Sequence, residues 1–118
     1  MNNKLDAKIY LWNSLCEKLC FEKLSLKSIK ATDSNLEDLK TLTIIYSHSI
    51  SKSFKILTIY SELAELQQAN TLEEDLLQAK LEQINNLHSE IQQLLKNSNF
   101  AELRRFYLPK TENDNLVI

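Results

Sequence analysis

The absence of glycine most constrains what this chain can fold into. Its 118 residues contain none, and the single proline is Pro109. Glycine supplies the positive-φ positions of tight turns, β-bulges and helix C-caps, and proline marks loops. Such a chain has little turn chemistry for a multi-stranded sheet, and it lacks a glycine-rich phosphate loop. The sequence therefore predicts an all-α protein whose long helices are joined by short polar turns.

The composition is that of an ordinary folded domain, with 43% hydrophobic and 25% charged residues. We expect a single helical domain over residues 1–109 and a flexible C-terminal tail over residues 110–118. No apolar run approaches the ~18 residues that a membrane span requires. The N-terminus also lacks the apolar core of a signal peptide. These features predict an intracellular protein, cytoplasmic or nuclear.

The first helix is predicted over residues 3–24, because apolar side chains recur there at alternating spacings of four and three. This stripe comprises Leu5, Ile9, Trp12, Cys16 and Leu19. Residues 25–33 lack the helical periodicity of apolar side chains, and they are predicted to connect the first helix to the second.

The second helix is predicted over residues 34–69, and Ser34 with Glu37 has the spacing of a capping box. It is apolar on two faces, so we expect it to be the central helix and to pack against two neighbours. Serines alternate with other residues over positions 47–53, which is a strand signal. Because no second strand is available nearby, helix remains favoured, with a kink or a labile turn near these residues.

The third helix is predicted over residues 71–97, after a break at Asn70 and Thr71. Thr71 and Glu74 repeat the capping-box spacing. A continuous helix over residues 34–96 is the main alternative. Asn97 begins a second turn signal, and a short helix is predicted over residues 99–107. Together these elements predict an antiparallel helical bundle or hairpin of three long helices plus a short C-terminal helix, with coiled-coil-like packing.

The most regular apolar stripe lies on the third helix, where polar residues occupy most other positions. Its spacings are close to a 3.5-residue repeat, which is typical of a coiled-coil seam. The seam comprises Leu77, Leu81, Ile84, Leu87, Ile91 and Leu94. We predict that this seam binds a partner protein by packing alone.

Few side chains suit metal binding. The conventional soft ligands are Cys16, Cys20, His48 and His88, and the two histidines lie far apart in the sequence. Structural zinc sites usually bring their ligands in closely spaced pairs. We therefore predict no metal site, and we interpret the two cysteines as reduced thiols used as small core residues.

Catalytic patterns are also missing. The serines beside His48 point to different faces of a helix, and a nucleophile elbow needs glycine. The acidic run at Glu73, Glu74 and Asp75 suits the positive end of a helix dipole. We expect no enzyme activity, no catalytic residues, no cofactor and no small-molecule substrate.

Arg104 and Arg105 are the only arginines, and they lie among Phe100, Phe106 and Tyr107. Arginine with aromatic residues is common both in nucleic-acid surfaces and in protein-binding hot spots. The formal net charge of −2 argues against nucleic-acid binding, which needs a basic surface. The pattern therefore favours contact with another protein.

These observations predict a non-enzymatic helical scaffold or adaptor subunit, which binds other protein chains through coiled-coil-like packing in a hetero- or homo-oligomeric complex. In style the chain resembles small helical subunits of coiled-coil assemblies, without a motif that assigns a family. One alternative is a small intracellular chaperone, inhibitor or immunity-type protein that masks a single partner. A weaker alternative is a nucleic-acid-associated regulator that uses Arg104, Arg105 and the lysines of the first helix.

Overall fold

A computed structural model describes residues 3–108, and within this range all the regular secondary structure is helical, with no strand. The α-helices are α1 (Asn3–Ser25), α2 (Leu36–Gln68), α3 (Glu74–Leu95) and α4 (Ser98–Tyr107), and a 3-10 turn spans Leu26–Ser28. The all-α fold class is confirmed, and each helix lies within a few residues of its predicted bounds. The tail predicted over residues 110–118 lies outside the described residues.

The helices form an elongated bundle around α2, which packs against α1, α3 and α4. This confirms the prediction that the second helix is central. α1 and α3 both run antiparallel to α2, as the contacts from Glu22 to Tyr46 and from Lys52 to Glu90 show. α4 continues in the direction of α3 along the first half of α2. It places Phe100 against Tyr46, with 5.3 Å between the ring centroids.

The break between α2 and α3 is a Schellman motif built on asparagine. Asn70 has a φ of 61°, the left-handed region that glycine usually occupies at a helix C-terminus. The Thr71 N–H donates to the Leu66 carbonyl at 2.9 Å, and the Asn70 N–H donates to the Gln67 carbonyl at 3.1 Å. The alternative of a continuous helix over residues 34–96 is therefore wrong, because this motif ends α2.

Both predicted capping boxes are wrong. The residue before α2 is Asn35, whose side chain accepts from the Thr32 N–H at 2.7 Å and donates to the Lys30 carbonyl at 3.0 Å. It braces the preceding turn, so no side chain caps α2.

At α3 the N-cap position is Glu73, which makes no side-chain capping bond. The Thr71 hydroxyl instead donates to the Leu66 carbonyl at 3.3 Å. Thr71 therefore helps to end α2, and α3 begins too late for the predicted pairing with Glu74.

The core-facing side of α2 is an unbroken heptad stripe. Its buried members are Leu39, Leu42, Tyr46, Ser49, Ser53, Ile56, Tyr60 and Leu63. Residues 47–53 are helical throughout, so the strand pattern does not give a strand here, and the predicted kink or labile turn stays a prediction. Two serines occupy the middle of the stripe, and the small Cys16 thiol of α1 lies beside Ser53. Short side chains on both helices let the two backbones approach here.

Candidate protein-binding surface

The predicted partner seam of α3 faces the interior of the bundle. Ile84 and Ile91 are buried in the common core, and Leu77, Leu81 and Leu87 are half-buried against it. Leu94 is also half-buried. In the isolated chain the seam is therefore an internal packing face, and a partner reaches Ile84 or Ile91 only if α3 separates from α2. The binding role of this seam stays a prediction.

A buried ion pair joins α1 to α4. The Arg104 Nε and Nη2 atoms donate to the two carboxylate oxygens of Glu22, at 2.7 Å and 2.9 Å. The Tyr46 hydroxyl donates to the same carboxylate at 2.5 Å. Glu22 is 1% exposed and Arg104 is 4% exposed. A bidentate pair with an additional donor satisfies a carboxylate that would otherwise be costly to bury.

This cluster stabilises the docking of α4 and sets the protonation of its members. The Glu22 carboxylate raises the pKa of Arg104, which therefore remains charged. Burial, followed by the same carboxylate, raises the pKa of Tyr46 well above its usual range, so its hydroxyl remains a donor.

Sequence reasoning missed the Glu22–Arg104 pair. One signal was present: Glu22 lies three residues after Leu19 and four before Leu26, both of which are buried, so it falls on the apolar stripe of α1. With Arg104 buried, only Arg105 of the two arginines is exposed. The weaker nucleic-acid alternative thus loses one of the two side chains on which it depended.

The opposite side of α1 carries a second stripe, which no described element covers. Five residues at alternating spacings of four and three line it: Tyr10, Ser14, Glu17, Phe21 and Leu24. We call it the outer stripe. Tyr10 is 76% exposed, Phe21 68% and Leu24 61%. Large apolar side chains grouped on one exposed face are typical of a protein-binding surface.

The position of the outer stripe follows from helix geometry. Tyr10 and Glu17 each precede a buried residue of α1 by two positions, and Leu24 likewise precedes the buried Leu26 of the 3-10 turn. Two residues correspond to about 200° of rotation around a helix, so these side chains point away from the core. The apolar positions along α1 are thus divided between two opposite faces, and among the described elements α2 and α4 pack against the inner face only.

Glu17 lies at the middle of the outer stripe. Its carboxylate accepts a long hydrogen bond from the Asn13 amide at 3.4 Å. Within the described residues, Glu17 forms no ion pair. The outer stripe therefore presents one carboxylate between two apolar ends.

A separate, concave surface lies between α2 and α3, and most of its lining residues are polar. This groove has a volume of about 770 Å³, with Phe54, Ile59 and Leu87 as its apolar lining residues. Two ion pairs cross between the helices there, Lys52–Glu90 at 3.0 Å and Lys80–Glu62 at 3.7 Å. These pairs already engage three of the charged lining residues, Glu62, Lys80 and Glu90, so the groove is a weaker candidate than the outer stripe.

The four soft ligands do not converge. Cys16 is buried, whereas Cys20 and His48 are exposed. The His88 ring packs edge-on against the Trp12 ring, with 5.3 Å between the ring centroids. The prediction that both cysteines are core residues is therefore wrong for Cys20, which lies off the inner stripe. Burial raises the pKa of the Cys16 thiol to about 11, so it is protonated and unreactive near neutral pH.

No three side chains among the histidines, cysteines and acidic residues within residues 3–108 come together as a metal site. None of the helices in this range is both long and apolar enough to cross a membrane. Comparisons of the chain with protein-family models, with curated proteins and with solved structures return no match.

Proposed function

We propose that this chain is a non-enzymatic helical adaptor subunit that binds another protein chain by helix packing, and that it does so along the outer stripe of α1. The observation that carries the proposal is the exposure of Tyr10, Phe21 and Leu24 on one side of a helix whose other side is closed. Their spacing is that of a coiled-coil seam, which a partner helix can meet with its own apolar residues.

The internal use of the α3 seam supports this choice of surface. Ile84 and Ile91 already contribute to the core of the chain, so a partner at that seam would have to replace intramolecular contacts. A partner on the outer stripe would displace none of the core contacts formed by residues 3–108. Aromatic residues such as Tyr10 and Phe21 are also enriched among the side chains that dominate binding energy.

Site-specific photo-crosslinking tests the proposal. A photoreactive amino acid is placed at Phe21, and in a second protein at Leu24, in the cells from which the chain comes. We expect a discrete protein adduct from both positions. The matched control is the same amino acid at Ser51, an exposed position of α2, from which the adduct should be absent. Equal adducts from all three positions, or none from α1, would contradict the proposal.

One observation favours the second candidate, a small chaperone, inhibitor or immunity-type protein that masks one partner. The three long helices close a core within a single chain, as a self-sufficient monomer requires. The absolute mass of the isolated chain, measured by light scattering during gel filtration, tests this second candidate. A dimer or larger species would contradict the masking protein and favour a subunit of a homo-oligomeric assembly, whereas a monomer at every concentration is expected both of the masking protein and of an adaptor that pairs only with a different protein.

A further inference from the structure

We infer that the partner of the outer stripe is a helix of a different protein that places an arginine or lysine against Glu17, between apolar residues that cover the two ends of the stripe. This inference rests on the proposed function and specifies the chemistry of the partner.

The first argument is the cost of burying Glu17. The stripe from Tyr10 to Leu24 is about 21 Å long at 1.5 Å per residue, and Glu17 is its midpoint. A helix that covers both ends must also remove Glu17 from water. A carboxylate buried without a counter-charge is strongly unfavourable, and an opposing cation with hydrogen-bonding protons offsets that cost.

The second argument concerns a second copy of this chain. In a parallel pair in register, or in an antiparallel pair centred on the stripe, Glu17 of one copy meets Glu17 of the other. Two carboxylates facing each other in a closed seam repel, and a two-fold interface cannot avoid juxtaposing the same patch. The charge at the midpoint therefore selects against self-pairing and for a cationic partner.

The third argument is an example within the chain itself. On the inner side of α1, Glu22 is also surrounded by apolar residues, and it is satisfied by Arg104 of α4. The same short helix buries Phe100 one turn before that arginine. α4 thus shows which kind of helix fits a glutamate on an apolar face of α1: an apolar anchor with an arginine beside it.

A Glu17→Lys variant of the same chain provides the probe, because it presents the outer stripe with a cation at its midpoint. Association of fluorescently labelled wild-type chain with this variant is measured by analytical ultracentrifugation at low and high salt. We expect the mixed pair to associate at least about tenfold more tightly than either chain with itself, and to weaken as salt rises. Phe21→Glu in both chains should abolish the association.

The matched control is Glu82→Lys, which makes the same charge change at an exposed position of α3 and should not associate with the wild-type chain. The inference is overturned if the mixed pair associates no more tightly than the wild-type chain alone. It is also overturned if the segment crosslinked to Phe21 is a second copy, a lipid, or a helix without arginine or lysine within one turn. The Glu17→Lys experiment tests only the chemistry of the partner. Whether Phe21 and Leu24 form protein adducts tests the proposed function separately.

Discussion

The two sides of α1 resemble each other in sequence and differ in their surroundings. Each side carries large apolar residues at heptad spacing, with one glutamate among them. On the inner side, Leu19 and Glu22 are covered by α2 and α4, and Arg104 neutralises the carboxylate. On the outer side, Phe21 and Glu17 face solvent. The same pattern of residues is thus a core on one face and an exposed surface on the other.

The difference shows that regular apolar spacing does not by itself identify a partner surface. The seam of α3 is the most regular in the chain, and the fold uses it internally through Ile84 and Ile91. The outer stripe is less regular because Ser14 and Glu17 interrupt it. A surface that must remain soluble before binding carries such polar residues, whereas a core seam does not need them.

The largest difference in stability between the two sides is expected when the ion pair of Glu22 is broken and when Glu17 is removed. Arg104→Ala leaves Glu22 buried without its counter-charge, which should lower the free energy of unfolding by about 3–5 kcal/mol. Glu17→Ala changes only an exposed carboxylate and should alter it by less than about 0.5 kcal/mol. Urea unfolding followed by circular dichroism measures both, with Arg105→Ala as the exposed control. Similar losses for Arg104→Ala and Arg105→Ala would mean that the buried pair does not form.

A somewhat smaller contrast is expected from two leucines of α1. Leu19 is fully buried on the inner side, so Leu19→Ala should cost about 2–5 kcal/mol through lost burial and a residual cavity. Leu24→Ala, on the outer stripe, should cost less than about 0.5 kcal/mol. The same unfolding assay compares the two variants. A large loss for Leu24→Ala would show that the outer stripe is covered within the chain itself.

The smallest effect is a dependence of stability on alkaline pH, to which buried groups on the inner side contribute and the outer stripe does not. Burial raises the pKa of Cys16 from 9.0 to about 11, so the folded chain keeps a proton that the unfolded chain releases. The stability from this group is complete below about pH 9 and is lost as pH rises toward 11, by about 1.4 kcal/mol per pH unit. Tyr46, whose pKa is also raised, adds a loss that begins above about pH 10.

Urea unfolding at about pH 8 and about pH 10.5 measures this dependence. Cys16→Ala should flatten the decline between the two values, although it also removes some packing at both. Cys20→Ala, at the exposed cysteine, is the matched control and should change the slope much less than Cys16→Ala does, because Cys20 contributes less than burial to the raised pKa of Cys16. An unchanged slope in Cys16→Ala would show that the buried thiol does not contribute.

Much of the fold could be predicted because helix periodicity and breaks are local properties. The absence of glycine and the breaks at Asn70 and Asn97 were sufficient for the element order. The capping boxes failed because Ser34 and Thr71 bond to the preceding turn rather than to the helix that follows. Residues 47–53 are helical despite their strand-like alternation, because a neighbouring helix can accommodate Ser49 and Ser53 in its packing, which local propensity does not report.

The candidate surface was less predictable. Leu77, Leu81 and the rest of the α3 seam were chosen for their regularity, but periodicity does not distinguish packing within a chain from packing between chains. Glu22 and Arg104 are 82 residues apart in sequence, so no local pattern pairs them. Phe21 and Leu24 were predicted to lie in the first helix, and only the placement of α2 and α4 shows that they face away from the core.

The sequence by itself determined that the chain is helical, where the helices break, and that the second helix is central, because these properties follow from glycine content and from spacing along the chain. The tertiary structure alone decided which apolar face is buried. It also decided that Arg104 neutralises Glu22 and that Glu17 remains at the middle of an uncovered stripe. The reason is physical: burial and ion pairing depend on which distant segments meet, and a stripe of side chains does not specify its own neighbour.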